Sequence, residues 1–343
     1  MAEESYAKKP ENQNSPGIAK GVLAVLRCVS CHAGLCQGAD ALACEACGRT
    51  FPFLQGVARF VDAQHYAGSF GFQWQVFART QLDTGQSHRS EVAFRRRTGF
   101  CPEDLAGKLV LDVGCGMGRF ADVATRWGAH VVGVDLSLAA DVAARNLGDR
   151  AATFFQADVF NLPFASESFD YIYSIGVLHH TPDCERAFKL LPALLKPGGK
   201  IAIWLYSGYN RWYRMSDLYR KVTRRMPPRL LHKICYAAIP LYGVHQALKK
   251  VPLVGKLASG SLAYMIPMPL NPDPKWRVLD TFDWYSPWYQ SKHTYEEVFR
   301  WFESCGLVDL RVIEQPIAVQ GRKPGSKTVV RENGAKEAEQ CVA

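Results

Sequence analysis

The chain has 343 residues, of which 48% are hydrophobic and 21% charged, and its net charge is +9. Such a chain is long enough to bury a sizeable core, and its composition is that of an ordinary globular protein. The longest apolar run, "ICYAAIPLYGV" at 234–244, is too short to span a bilayer. The polar start "MAEESYAKKPENQNSPG" has no apolar segment of the secretory kind. The expectation is a cytoplasmic protein with disordered tails over 1–20 and 321–343.

The first element is a metal module. Cys28 and Cys31, then Cys44 and Cys47, form C-x2-C, twelve residues, C-x2-C. Each pair brings two thiolates to one ion from a tight turn, and two such turns make a closed tetrahedral sulfur site. The alternative is a cluster of reduced thiols without metal. "CVSC…CEACGRTFPFLQGVARFV" resembles the small zinc-ribbon proteins that activate certain methyltransferases. A ribbon over 21–62 holding structural zinc is the expectation. A closed site leaves no position for substrate.

A helical cover is expected over 63–107. Within it, "SFGFQWQVFARTQLD" groups Phe72, Trp74 and Phe77. There Phe72 and Trp74 are candidates to stack on a bound adenine or meet a cation; the alternative is an amphipathic helix packed on a sheet.

"KLVLDVGCGMGRF" then reads as a strand that delivers a glycine loop, followed by a helix with Phe120, Val123 and Ala124 on one face. "HVVGVDLS" is a second strand ending in Asp135, an acid placed to accept ribose hydroxyls. Asp112 distinguishes between nucleotides. A carboxylate at the strand tip would repel a pyrophosphate, but it suits the ammonium and sulfonium of S-adenosylmethionine. The spacing of Gly114, Gly116 and Gly118 also departs from the dinucleotide pattern. "TFFQADVFNLPF", "FDYIYSIGVLHHTPD" and "LLKPGGKIAIWLY" supply three further strands in order.

With these landmarks, residues 108–206 resemble the class I S-adenosylmethionine-dependent methyltransferases. The resemblance implies an α/β Rossmann-like sheet with helices on both faces. It places Asp112, Gly114, Cys115 and Gly116 at the methionine half of the cofactor and Asp135 at the ribose. Asp158 and Val159 fall at the adenine edge, and Ser174 and Ile175 under the sulfonium. His179 and His180 are candidate bases for an acceptor hydroxyl, with a loop-organising role as the alternative.

Residues 207–280 form an expected inserted lid. Between 206 and 256 eleven Lys and Arg, among them Arg211, Arg220, Lys221, Arg224 and Arg225, face the single acid Asp217. Such a segment suits nucleic acid, an anionic membrane surface or an anionic acceptor, or is a solvated helix face. Next, Trp284, Tyr285, Trp288, Tyr289 and His293 read as an aromatic loop that walls an acceptor pocket or packs the lid. A helix over 295–304 opens with a capping box, Thr294 and Glu297, and ends at Gly306. The Rossmann-like domain is expected over 108–320. The functional expectation is methyl transfer to a small-molecule or lipid-like acceptor. An RNA-base methyltransferase with a zinc module is the alternative enzyme, and a non-catalytic binding module with a vestigial cofactor site is the alternative outside enzymes.

Overall fold

The computed structural model describes residues 17–61, 66–209 and 214–325. Most of the expected tails, and Arg211 of the basic run, lie outside the described residues. The described part of the first tail holds Ile18, whose backbone N–H donates to Gln37 Oε1 at 2.9 Å.

Among the described residues eleven strands form one sheet. They are β1 Cys36–Gln37, β2 Ala41–Ala43, β3 Thr50–Leu54, β4 Val57–Arg59, β5 Leu109–Val113, β6 His130–Asp135, β7 Ala152–Gln156, β8 Phe169–Ile175, β9 Leu195–Trp204, β10 Val308–Val312 and β11 Ala318–Arg322. Their order is β1-β2-β3-β4-β7-β6-β5-β8-β9-β11-β10. β5 to β9 pair in parallel, and β11 and β10 close that side antiparallel. β5 is buried from Val110 onward and β6 over Val131–Val134, as parallel strands covered on both faces require. The chain runs outward from β5 to β7, then crosses back to β8. The switch point therefore lies at the carboxyl tips of β5 and β8, where such sheets bind ligands.

The cysteine module and the parallel sheet are continuous. β4 pairs in parallel with β7, Ala58 opposite Phe155. One core cluster runs from Leu26, Cys28, Leu42 and Phe51 through Phe155 to Leu111 and Val113. An ion pair crosses this junction: Arg59 Nη2 donates to Asp141 Oδ1 at 2.6 Å, the side chains only 6% and 8% exposed. Burial raises the Asp141 carboxyl above its usual range despite this partner. Asp141→Ala would strand a buried guanidinium, and should cost about 3–5 kcal/mol in urea unfolding. A loss below about 1 kcal/mol would mean that water replaces the carboxylate.

Three boundaries differ from expectation. The Pro-Gly-Gly turn lies inside β9, where the register with β8 slips between Phe169 and Tyr171. The chain stays in the sheet to Arg322, past the expected start of the second tail. Trp284 and Tyr285 are helical, not part of a loop. The Asp273 carboxylate caps the backbone N–H of Lys275 and Trp276, Pro274 fits the first turn, and the helix Pro274–Tyr285 follows.

The expected cover contains helices Gly68–Val76 and Arg89–Thr98. The lid holds Arg214–Thr223, Pro228–Cys235, Ala238–Lys249 and Gly255–Met265. It docks through Leu231 and Cys235 onto Phe77, Leu279 and Phe282. Its basic run is not uniformly solvated. Arg220 is buried and paired with Asp217 at 3.0 Å, and Arg224 lies 4.8 Å from the Trp288 ring centroid. The helix Tyr295–Ser304 has its capping box, with Thr294 N–H donating to Glu297 at 2.9 Å. Its buried stripe is Val298, Trp301 and Phe302. No described helix is long and apolar enough to cross a membrane.

Candidate active site

A cavity of about 310 Å³ opens over the switch point. Its floor is the loop after β5. Gly114 has φ of +79°, and a Cβ there would sit 2.3 Å from Val177. Gly116 has φ of +52°, and a Cβ would press on the Trp74 indole at 3.1 Å. Both positions need glycine for conformation and for space.

Asp135, at the tip of β6, accepts from Gly116 N–H at 3.0 Å through Oδ2. It accepts from Ser137 N–H and Oγ–H at 2.8 and 2.7 Å through Oδ1. The carboxylate is thus oriented by the loop it faces. Asp158, beyond β7, accepts from Phe160 N–H at 3.0 Å and lines the cavity with Val159. Cys115, Ile175 and Trp74 line it too.

Other expected site residues lie elsewhere. Asp112 does not line the cavity. It is buried opposite Tyr173, its Oδ2 without a hydrogen-bond partner, and burial pushes its carboxyl up to about 8 while the Tyr173 hydroxyl pulls the other way. Strand alternation turns it under the loop, out of line with Val113, which does line the cavity. Ser174, fully buried, donates Oγ–H to Val113 O at 3.0 Å. Phe72 packs against Phe282 and His232 at 5.8 Å.

The two histidines separate. His179 is fully buried, stacked 4.0 Å from Tyr206, with neither ring nitrogen bonded. Burial, then His180 and His293, hold its pKa well below the ordinary value. It is a neutral packing residue and does not line the cavity, which corrects its expected role as a base. His180 does line the cavity, and its Nδ1 lies 3.0 Å from Tyr289 O.

Of the aromatic set, Trp284 alone lines the cavity, because the helix Pro274–Tyr285 aims it there. Tyr285 donates its hydroxyl hydrogen to Pro267 O at 2.6 Å, and Trp288 is exposed under Arg224. Tyr289 packs on Tyr66 at 5.4 Å, and His293 contacts Ser291 Oγ at 2.7 Å. These four therefore do not form an acceptor wall.

Several lining residues escaped the sequence reading: Arg97, Arg119, Tyr206, Asp280 and Asp283. Asp280 and Asp283 lie one helical turn apart, a spacing that marks a shared face. Asp283 accepts from the Tyr206 hydroxyl at 2.8 Å and from Gln73 Nε2 at 3.4 Å. Burial, with Asp283 beside it, pushes the Asp280 carboxyl up to about 7 against the pull of Arg119 and Arg97. Perturbed carboxyls in a cleft mark functional sites.

Outside the cavity lining, Cys28, Cys31, Cys44 and Cys47 bring their sulfurs within 4.8 Å of one another. Two of the separations are 3.6 Å and 3.4 Å. Zinc–sulfur bonds of about 2.3 Å at tetrahedral angles call for sulfurs about 3.8 Å apart. The four residues fit such an ion.

Residues 111–203 match the family model described as a methyltransferase domain. A human protein named probable tRNA methyltransferase 9B is 37% identical over 131 residues, covering 37% of this chain and 28% of its own length. Phosphoethanolamine N-methyltransferase 2 of Caenorhabditis elegans is 33% identical over 161 residues, covering 44% and 35%. A solved Haemonchus contortus phosphoethanolamine N-methyltransferase 2, with phosphomonomethylethanolamine and S-adenosylhomocysteine, covers 77% of this chain and 47% of its own. It is 18% identical, with a TM-score of 0.42. The chain thus spans about a third of the length of these curated relatives. The stretch 111–203 matches a methyltransferase-domain model and is carried on a Rossmann-like sheet.

Proposed function

We propose that the chain transfers a methyl group from S-adenosylmethionine to a small-molecule or lipid-like acceptor. The observation that carries this reading is the convergence on one cavity of the Gly114–Gly116 loop, Asp135 and Asp158, from three successive strand ends. A cavity of about 310 Å³ is at the small end for cofactor-sized ligands. When bound, the cofactor supplies an electrophilic methyl group on sulfur.

In this reading Asp135 receives the ribose hydroxyls, Asp158 and Val159 read the adenine edge, and Trp74 covers the loop. Ile175 and Gly176 form the floor toward the acceptor side. The acceptor lies against Tyr206, Asp280, Asp283 and Trp284. Asp280 takes the proton that the acceptor loses; His180, whose Nε2 is buried and unbonded, is the other base within the cavity. Positioning and exclusion of water supply the rest. The four thiolates hold one structural zinc and take no part in this chemistry.

The pH dependence has a defined sign. Asp280, raised to about 7, is neutral below that value and a competent base above it. Turnover should rise through about pH 7, and Asp280→Asn should flatten the rise. A profile unchanged in that variant would remove Asp280 as the base. To test the function itself, labelled S-adenosylmethionine is incubated with the protein and fractionated cell extract. Label in small molecules or lipid supports the proposal. Label in RNA selects the second reading, which the relative named a probable tRNA methyltransferase keeps open. No transfer with no cofactor binding overturns both.

A further inference from the structure

Two helices of the lid are patterned inside out. In the helix Ala238–Lys249 the buried residues are Ala238 and His245, while Ile239, Gly243, Val244 and Ala247 are exposed. In the helix Gly255–Met265 the buried residues are Gly255 and Ser259, while Leu257, Tyr264 and Met265 are exposed. A surface helix ordinarily turns its large apolar residues inward and its polar ones outward. Here the outward positions, spaced by three and four residues, are largely apolar.

The two helices pack on each other as a hairpin, and its turn carries the pattern furthest. Val251 N–H donates to Leu248 O and Gly255 N–H to Val251 O, both at 3.0 Å. A Cβ on Gly255 would sit 2.4 Å from Leu248 O, so glycine lets the second helix start against the end of the first. The backbone of the turn is thus ordered, yet its side chains leave the protein. Leu253 is fully exposed, at a φ of +64° that leucine rarely adopts, and Val251, Val254 and Leu257 are exposed with it.

Lysines flank this apolar tip. Lys249 and Lys250 precede it and Lys256 lies within its second half; all three are exposed, and among the described residues none forms an ion pair. Asp217 is the one acid between 214 and 270, and Arg220 and Lys292 already engage it.

Apolar side chains beside free ammonium groups match the boundary of an anionic bilayer, where acyl chains lie just beneath the phosphates. Lysine stems bury along the apolar layer while their heads reach the headgroups. A protein interface selects differently: its centre is rich in Trp, Tyr and Arg and poor in Lys. The hairpin is also joined to the cavity wall. Arg277, on the helix that carries Trp284, lies 3.8 Å from the Tyr242 ring centroid.

We propose that the tip from Lys249 to Leu257 is a membrane-docking wedge. Its valines and leucines enter the headgroup–acyl boundary of an anionic phospholipid bilayer, and its three lysines engage the lipid phosphates. A docked lid holds the cavity at the surface from which a lipid-like acceptor is taken, but the docking goes beyond the methyl-transfer reading and stands without it.

The full chain is floated with vesicles of phosphatidylcholine alone and of phosphatidylcholine mixed with phosphatidylglycerol. Wild type should float with the mixed vesicles and not with the neutral ones. Leu253→Asp together with Leu257→Asp should weaken this binding by at least about tenfold. Lys249→Gln together with Lys250→Gln should weaken it by about tenfold or more. Added salt should weaken the wild type more than the lysine variant. The changed side chains are exposed, so melting temperature and S-adenosylhomocysteine affinity should match the wild type; should the Asp pair not fold, Leu253→Ser replaces it. Wild type that ignores the mixed vesicles, or takes neutral ones equally well, overturns the wedge, as does a leucine variant that floats like wild type. Two other results overturn it by giving the tip another occupant. One is a dimer in gel filtration that the leucine change abolishes, without flotation. The other is lysine-dependent binding of tRNA, without flotation. Wild type that floats but binds no S-adenosylhomocysteine sinks the methyltransferase reading and leaves the wedge standing.

Discussion

Replacing Cys28 and Cys31 together by Ser should remove the metal and lower the melting temperature by at least about 10 °C. Structural zinc contributes folding free energy outright in small modules, and here the module has no separate core to fall back on. Cys28 and Cys44 are buried in the same cluster as Phe155, Leu111 and Val113. Loosening the ribbon therefore exposes the β7 edge of the parallel sheet, through the β4–β7 pairing. Metal analysis of the wild type should return about one zinc per chain. Wild-type protein without metal, or a double variant that melts with the wild type, contradicts the zinc assignment. Cofactor affinity measured well below the melting range should change little, because the cysteines do not line the cavity.

Asp135→Ala should weaken S-adenosylhomocysteine by about 1.5–3 kcal/mol, a factor of about 10 to 150. In the proposed reading the lost interaction is a charge-assisted bond to the ribose, and the structure adds a second reason. The same carboxylate receives Gly116 N–H and both donors of Ser137. Its removal also frees the loop on which the methionine half would rest. Asp135→Asn separates the two contributions, since the amide oxygen still accepts from one of these groups while the charge is gone. Calorimetry on both variants is the measurement. Wild-type affinity in Asp135→Ala would take Asp135 out of the site.

Much of the sheet was legible in the chain because parallel strands buried on both faces must be apolar along their length, and because glycines with an acid nearby mark strand tips. The run at 109–113, the glycines at 114–118, Asp135 and Asp158 are all local signals. Local too are the two cysteine pairs and the capping box at Thr294 and Glu297, whose spacing alone states their geometry. The extension of the sheet by β4 was not legible, since a three-residue strand pairs wherever the fold brings it an open edge.

Side-chain direction was the first thing that only tertiary structure decided. Asp112 and Val113 are neighbours in the chain, yet the pleat turns one under the loop and the other toward the cavity. His179 and His180 differ in the same way, one stacked on Tyr206 and the other facing the cavity. The second was convergence from distant segments. Arg97, Arg119 and Asp280 come from the cover, the helix after the glycine loop and the helix Pro274–Tyr285. In sequence each is an unremarkable charge on an amphipathic helix. Only packing sets them, partly buried, around one cavity, and that convergence is what turns ordinary charges into a site.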